Sequence, residues 1–217
     1  MATILDESAI EKELTNFLRS NITDPNNRGT SDEELFSGDN SETDFVITES
    51  NVKALTSVEY PIGTTLTYGD DYTYEPTTQT VTFTTAPATG TDNVELSYKY
   101  GETWIYEDFN KTNLVLSDFP RVAANIISSS SEPIAIGGKR YNSSILYSVT
   151  VAGKTKEQIK TVLKEIRTDL LNNNKSFYNF TIIEPSAGSA FGNSNLHDRI
   201  IQKTQDYIIP FNFEVAD

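Results

Sequence analysis

The sequence contains no cysteine. That excludes a disulfide framework, a thiolate metal site and a thiol nucleophile, and it suits a chain that assembles in a reducing cytosol. A single histidine in 217 residues leaves little material for imidazole chemistry. No apolar run approaches the roughly 20 residues needed to cross a bilayer. The opening MATILDESAIEKE has no basic segment followed by an apolar one, so the expectation is a soluble chain with no cleaved export signal and no membrane partner. Positive charge is scarce as well, with 17 Lys and Arg against 31 Asp and Glu, a formal net charge of −14.

The deficit is uneven along the chain. Residues 1–60 hold 4 basic and 13 acidic residues, residues 61–110 hold 1 and 8, and residues 111–217 hold 12 and 10. An asymmetry of this size marks regions under different demands. The front half would repel nucleic acid, whose affinity for proteins depends on neutralising phosphate. The back half, close to neutral, is free to pack against protein.

What is present is periodicity. Ile10, Leu14, Phe17 and Leu18 recur at helical spacing and predict a helix over residues 1–21, ending near Asn21. TDPNNRGTSDEELFSGDNSETD is rich in turn formers, so residues 22–44 read as a loop or linker. In residues 45–103 the segments TTLTY, DYTYE, QTVTFT and NVELSYKY are separated by turn signals, which predicts an inserted antiparallel β module. Val94, Leu96, Tyr98 and Tyr100 alternate with polar residues, as do Val81 and Phe83 and, across a threonine, Tyr72 and Tyr74. Half-burial on the packed face of a small sheet accounts for these aromatics better than a sugar-binding platform does.

Residues 104–217 read as an α+β body. Trp104, the only tryptophan, is expected to be buried where the modules join. Val122, Ala124 and Ile126 predict one strand; Ile145, Tyr147, Val149 and Val151 predict the next. SSSSEPIAIGGKRYN between them reads as a long turn. Thr155 and Gln158 have capping-box spacing, and Ile159, Val162, Leu163, Ile166 and Leu170 form the apolar stripe of the helix that follows. Lys156, Lys160, Lys164 and Arg167 lie off that stripe, interleaved with Glu157, Glu165 and Asp169, as a solvated face rather than a nucleic-acid surface. FYNFTII predicts another strand, EPSAGSAFGNSNLHDR a polar loop, and QKTQDYIIPFNFEV a last strand whose Pro210 requires an edge or a bulge. The fold class expected is therefore a four-stranded, mainly antiparallel sheet in the order β-β-α-β-β, covered by one helix, with an N-terminal helix and an inserted small all-β module.

Catalytic constellations are weak. His197 and Asp198 lie near Ser186, Ser189 and Ser194, but a Gly/Ser-rich loop is a poor support for a base held against a hydroxyl. IGGKR has neither Walker spacing nor a strand-to-helix context. Asp39, Asp44, Asp70 and Asp71 are oxygen ligands without the spacing of an EF-hand. No cofactor, metal or enzymatic activity is expected.

The order DFPRVAANIISSSSEPIAIGG, YNSSILYSVTVAG, KEQIKTVLKEIRTDLL and TQDYIIPFNFEV resembles the tail terminator and tail completion proteins of tailed viruses, a family related in fold to the head-to-tail joining proteins of the neck. The resemblance covers residues 4–20 and 112–217. It implies a structural virion protein, assembled in host cytoplasm, that forms a ring, commonly hexameric, at the head-proximal end of the tail tube. The implied partners are further copies of the chain, the tail tube protein, a neck or connector protein, and viral DNA passing through an acidic channel without sequence-specific binding. A neck adaptor is the alternative, and a carbohydrate- or surface-binding module a more distant one. The contacting groups implied are Ser129, Glu132, Ile136, Lys139, Arg140 and Tyr141 in the first long turn, Phe191, Asn193, His197 and Arg199 in the polar loop, and Tyr207, Phe211 and Phe213 in the last strand.

Overall fold

The computed structural model describes residues 7–107, 114–133, 140–174, 177–180, 183–193 and 199–214, and for residues 133, 140, 193 and 211–214 the backbone alone. The chain divides into two compact units: one spans Asn26–Thr103, and the other combines the chain up to Pro25 with the chain from Trp104 onward. The fold is α+β, with mostly antiparallel sheets.

The first element is helix α1, Glu7–Asn21, which buries Ile10, Leu14, Thr15 and Leu18. Its apolar residues fall at three- and four-residue spacing, so one stripe enters the core, and Thr15 is carried in beside Leu14. The last turn is held by Arg19, whose Nε donates to the Ile105 carbonyl at 3.1 Å, and by Asn21, whose Nδ2 donates to the Phe17 carbonyl at 2.9 Å.

The Asn26–Thr103 unit is built from β1 (Thr30–Phe36), β2 (Asp44–Val46), β3 (Val52–Glu59), β4 (Tyr72–Glu75), β5 (Thr80–Phe83) and β6 (Val94–Tyr100). These form two antiparallel sheets, ordered β1-β6-β3 and β2-β5-β4. The sheets share one core containing Phe45, Leu55, Val58, Tyr72, Tyr74, Val81, Phe83, Val94, Leu96 and Tyr98. Full burial of a side chain such as Val81 or Leu96 contributes about 1.5–3 kcal/mol. Phe45 packs edge-on against Phe36 and Phe83, with ring centroids 5.5 and 5.3 Å away. The burial of Tyr72, Tyr74, Val81 and Phe83 uses the alternation of the threonine-rich hairpin for packing.

Two expectations change in this unit. Residues 30–36, read as linker, are β1, so the connection from α1 is shorter. Thr30, Ser31, Asp32 and Glu33 are exposed on both faces of that strand and give no alternation. Pairing with β6, residue for residue from Thr30↔Tyr100 to Phe36↔Val94, is what makes it a strand. TTLTY forms no strand and contributes isolated bridges at Thr65 and Tyr68. Gly29 lets the chain enter β1: its φ is +78°, and a Cβ there would stand 2.8 Å from the Glu102 carbonyl oxygen.

The remaining elements are β7 (Ile105–Tyr106), β8 (Arg121–Pro133), β9 (Arg140–Gly153), helix α2 (Lys156–Asn172), β10 (Glu184–Gly188), β11 (Gly192–Asn193) and β12 (Ile201–Glu214). They form one sheet in the order β10-β12-β9-β8-β7, with β11 also on β12. β7 runs parallel to β8 and the other pairs are antiparallel. One face carries Val122, Ala124, Ile145, Tyr147, Val149, Val151, Tyr207 and Ile209, which pack with Trp104 and the stripes of α1 and α2 in a single core. The opposite face is largely polar: Ser148 Oγ donates to Asp206 Oδ1 at 2.8 Å, and the Thr150 and Thr204 hydroxyls pair at 2.8 Å. Alternation along β9 and β12 produces this division, because successive side chains take opposite faces.

The expected four-stranded sheet is thus enlarged and its closing strands are relocated. FYNFTII supplies no strand among its described residues. Phe177 and Phe180 are buried and stack at 4.5 Å, while the backbone between them is occupied by a side chain. Glu13 accepts from the Tyr178 and Asn179 backbone N–H groups at 2.6 and 3.0 Å and from Asn179 Nδ2 at 3.0 Å. Burial pushes the Glu13 carboxyl above its ordinary value, against the opposing pull of those hydrogen bonds. The presumed loop EPSAGSAFGN instead provides β10 and β11. At α2, Thr155 Oγ1 accepts from the Gln158 N–H at 3.1 Å as expected, but Gln158 Oε1 reaches the Lys154 N–H, one residue before the cap, at 3.0 Å.

Candidate assembly interface

The presumed turn at residues 128–141 is mostly strand. β8 continues to Pro133 and β9 begins at Arg140, so β8, β9 and the end of β12 make a three-stranded arm. Its rows are level across the strands: Ser129, Ile145 and Ile209; Ser130, Ser144 and Pro210; Ser131, Ser143 and Phe211; Glu132, Asn142 and Asn212; Pro133, Tyr141 and Phe213. Serine, a weak strand former, is held here by cross-strand hydroxyl pairs, Ser130 with Ser144 at 3.0 Å and Ser143 with Ser131 at 2.7 Å. A register shift between Ile126 and Ser128 places Ile127 in a bulge, 55% exposed.

Both outer strands of this arm lack a strand partner among the described residues. β7 pairs β8 only at Val122 and Ala123, and Glu11 of α1 accepts from the Ile126 N–H at 3.2 Å. Beyond the bulge nothing among the described residues pairs that side of β8. On the other flank, β10 and β11 pair β12 no further than Ile208.

Backbone direction along these edges follows from the hydrogen bonds at their roots. The Thr204 carbonyl accepts from the Ser189 N–H at 3.0 Å and the Thr204 N–H donates to Ser189 Oγ at 2.9 Å, so Thr204 faces away from β9. The unbroken register to Glu214 then turns Pro210, Asn212 and Glu214 outward as well. On β8, the N–H groups of Val122 and Ile126 point away from β9. The bulge shifts the parity by one, so Ser129, Ser131 and Pro133 face outward. Each edge therefore presents a proline outward, where no bond to β9 is lost. Pro210 sits on the edge stretch of its strand with the ladder to β9 intact, as the sequence requires.

The groups implied by the resemblance fall into several environments. Ser129 and Glu132 are exposed on β8, and Tyr141 is half-buried on β9. Arg140 pairs with Glu214 in the backbone register, and Phe211 and Phe213 lie in β12. Phe191 packs partly buried on the core, with the Lys203 and Lys156 ammonium groups 5.1 and 5.6 Å from its ring centroid. Asn193 pairs with Ile201 in β11, and Arg199 is exposed in a turn. Ile136, Lys139 and His197 lie outside the described residues. Tyr207 requires correction: it has no exposed surface and stands opposite Tyr147 in the core. Its alternation partners pointed to the apolar face, and the helices cover that face.

The Tyr207 hydroxyl has no hydrogen-bond partner among the described residues, and the Tyr147 and Thr15 hydroxyls are near each other without forming a hydrogen bond of good geometry. Burial pushes Tyr207 up to about 12, partly opposed by the Arg167 charge, and pushes Tyr147 higher still. Of the serines near His197 in sequence, Ser186 lies in β10 and Ser189 Oγ accepts from the Thr204 N–H; Ser194, His197 and Asp198 lie outside the described residues. Among the described residues no group of three His, Cys, Asp or Glu could hold a metal ion, and no helix is long and apolar enough to cross a membrane. Asp39 is engaged by its own turn, accepting from the Ser41 and Glu42 N–H groups at 2.8 and 2.7 Å, which holds its carboxyl below the usual value. Sequence reasoning missed the matched edges of the arm. The signal for them was a proline inside each candidate edge strand, Pro133 and Pro210. Comparison with protein-family models and with curated proteins finds no match.

Proposed function

We propose that the chain is a structural protein of a tailed-virus particle, forming a closed ring at the head-proximal end of the tail tube, where it stops tube growth and joins the tail to the neck. The observation that carries this reading is the arm, whose two flanks end in strands, at the same level, with no strand partner among the described residues. Exposed edges are normally blunted or covered because they template further pairing. A sheet open on both sides suits repeated head-to-tail contact, which generates a ring when the rotation between copies closes. The helix-covered sheet and the order of its elements support the resemblance to tail terminators. Capping a tube needs shape and paired surfaces, with no covalent step.

The inserted β unit is accessory to that role. Burial of Tyr72, Tyr74 and Phe83 removes the rings that a sugar-stacking surface would use. Electron microscopy and native mass measurement of the purified chain test the reading. Rings, or addition of a ring to the ends of tail tubes, are expected. A monomer at every concentration that leaves tubes uncapped overturns it. Binding to isolated connectors in preference to tubes would move the ring to the neck.

A further inference from the structure

Resting on the ring reading, we propose that neighbouring copies join by parallel pairing of the end of β12 in one copy with the end of β8 in the next, in a register set by Pro133 and Pro210. Both outer strands of the arm are antiparallel to β9, so they run in the same direction. A copy placed beside another in the same orientation thus brings a β12 edge against a β8 edge in parallel. The outward backbone groups are those of Pro210, Asn212 and Glu214 on one edge and Ser129, Ser131 and Pro133 on the other. In a parallel ladder each outward residue bonds to the two residues flanking its opposite number.

Setting Asn212 opposite Ser130 of the next copy lets every available donor find an acceptor. The Ser129 N–H donates to the Pro210 carbonyl, the Asn212 N–H to the Ser129 carbonyl, the Ser131 N–H to the Asn212 carbonyl, and the Glu214 N–H to the Ser131 carbonyl. Pro210 then meets the bulge at Ile127, and Pro133 closes the other end against the Glu214 carbonyl; these are the two positions where the ladder has no N–H to give. Sliding the strands level, with Pro210 opposite Ser130, leaves the Ser129 N–H without an acceptor. Pairing of like edges, β12 with β12 or β8 with β8, forms a two-fold dimer, and using the remaining edges then needs a second, different junction. The unlike pairing uses both edges of every copy with one repeated junction.

The absence of native cysteine makes the register directly testable in the full chain. In the proposed junction the Cα atoms of residues 130 and 212 of adjacent copies lie about 5 Å apart, within disulfide reach. The double variant Ser130→Cys/Asn212→Cys, oxidised after assembly, is expected to give a covalent ladder of multimers that collapses to monomer on reduction. Each single variant is expected to stay monomeric on a non-reducing gel. Covalent dimers from Asn212→Cys or Ser130→Cys alone would show like-edge pairing and overturn the proposal. Rings that form normally while the double variant stays uncrosslinked would overturn the β8–β12 junction and leave the ring reading standing. A chain that never leaves the monomeric state overturns both. Asn212→Pro removes one donor of the ladder at a position facing away from β9; loss of rings with an unchanged circular dichroism spectrum is the expected result, and unaltered rings count against the junction.

Discussion

The two units of this chain solve the same packing problem with different materials. The Asn26–Thr103 unit holds 3 basic and 14 acidic residues, whereas the rest of the chain holds 14 and 17. The first buries an aromatic core between two small sheets and exposes an acidic strand, β1, at an edge. Charge on an edge strand repels a second copy and blunts pairing. The second covers one face of a single sheet with helices, and the arm strands that have no outer partner among the described residues carry mainly serine, asparagine and proline, with one glutamate each, Glu132 and Glu214. One unit is built to remain separate. The other leaves its backbone available to a partner.

Deletion tests this contrast most severely. Joining Pro25 to Trp104 removes a complete unit, and the remaining body is expected to fold, with a helical and strand spectrum and a cooperative melt. Deleting only residues 45–101 strands β1 without β6 and should give aggregated protein. Equal behaviour of the two deletions, judged by gel filtration, would contradict the boundary at Asn26. Core truncation is next in size. Leu96→Ala and Ile166→Ala each remove a fully buried side chain and are expected to cost about 2–5 kcal/mol. Calorimetry should show each lowering the transition of its own unit, and a shared shift would mean that the units unfold together.

Smaller effects probe polar groups. Glu13→Ala takes away the acceptor for two backbone N–H groups and should destabilise the body by about 1–3 kcal/mol in denaturant titrations, leaving the β unit unaffected. Raised tyrosines give a pH dependence of definite sign. Tyr72, pushed up to about 12 by burial and then by Tyr68 and Asp71, and Tyr207, at about 12, prefer the neutral form when folded. Their contribution is complete below the ordinary value of about 10 and is lost as pH rises through 12. Unfolding midpoints measured between pH 9 and 12 should therefore fall in both units. Tyr207→Phe should reduce the alkaline loss in the body, where Tyr147 is also raised by burial, and spare the β unit. Smallest is Tyr147→Phe, which removes a buried hydroxyl that lies near Thr15 without a hydrogen bond of good geometry and is expected to change stability by no more than about 1 kcal/mol in melting experiments.

Legibility in the sequence followed how local the cause was. The stripes of α1 and α2, the Thr155 cap and the alternation of β6, β9 and β12 are set by neighbours within a few residues, and each is found where its pattern puts it. β1, the serine-rich ends of β8 and β9, and the short β10 have no such pattern. They are strands because distant segments offer matching backbone. Phe177–Phe180 shows the converse, since an apolar run that looks like a strand is diverted by a carboxylate from α1. The candidate interface was half legible. Proline at residue 210 forecast an edge, while the level position of the second edge depended on a bulge at Ile127 that no local rule announces.

The sequence by itself determined the two helices, the apolar faces of the central strands and the exclusion of thiol chemistry, because side-chain periodicity and residue type act locally. Only the tertiary structure decided which polar segments became strands, which aromatic residues were sealed inside and which strand edges have no partner among the described residues. Those outcomes turn on hydrogen bonds and packing between residues far apart in the chain, where a donor is satisfied by whatever the fold brings beside it.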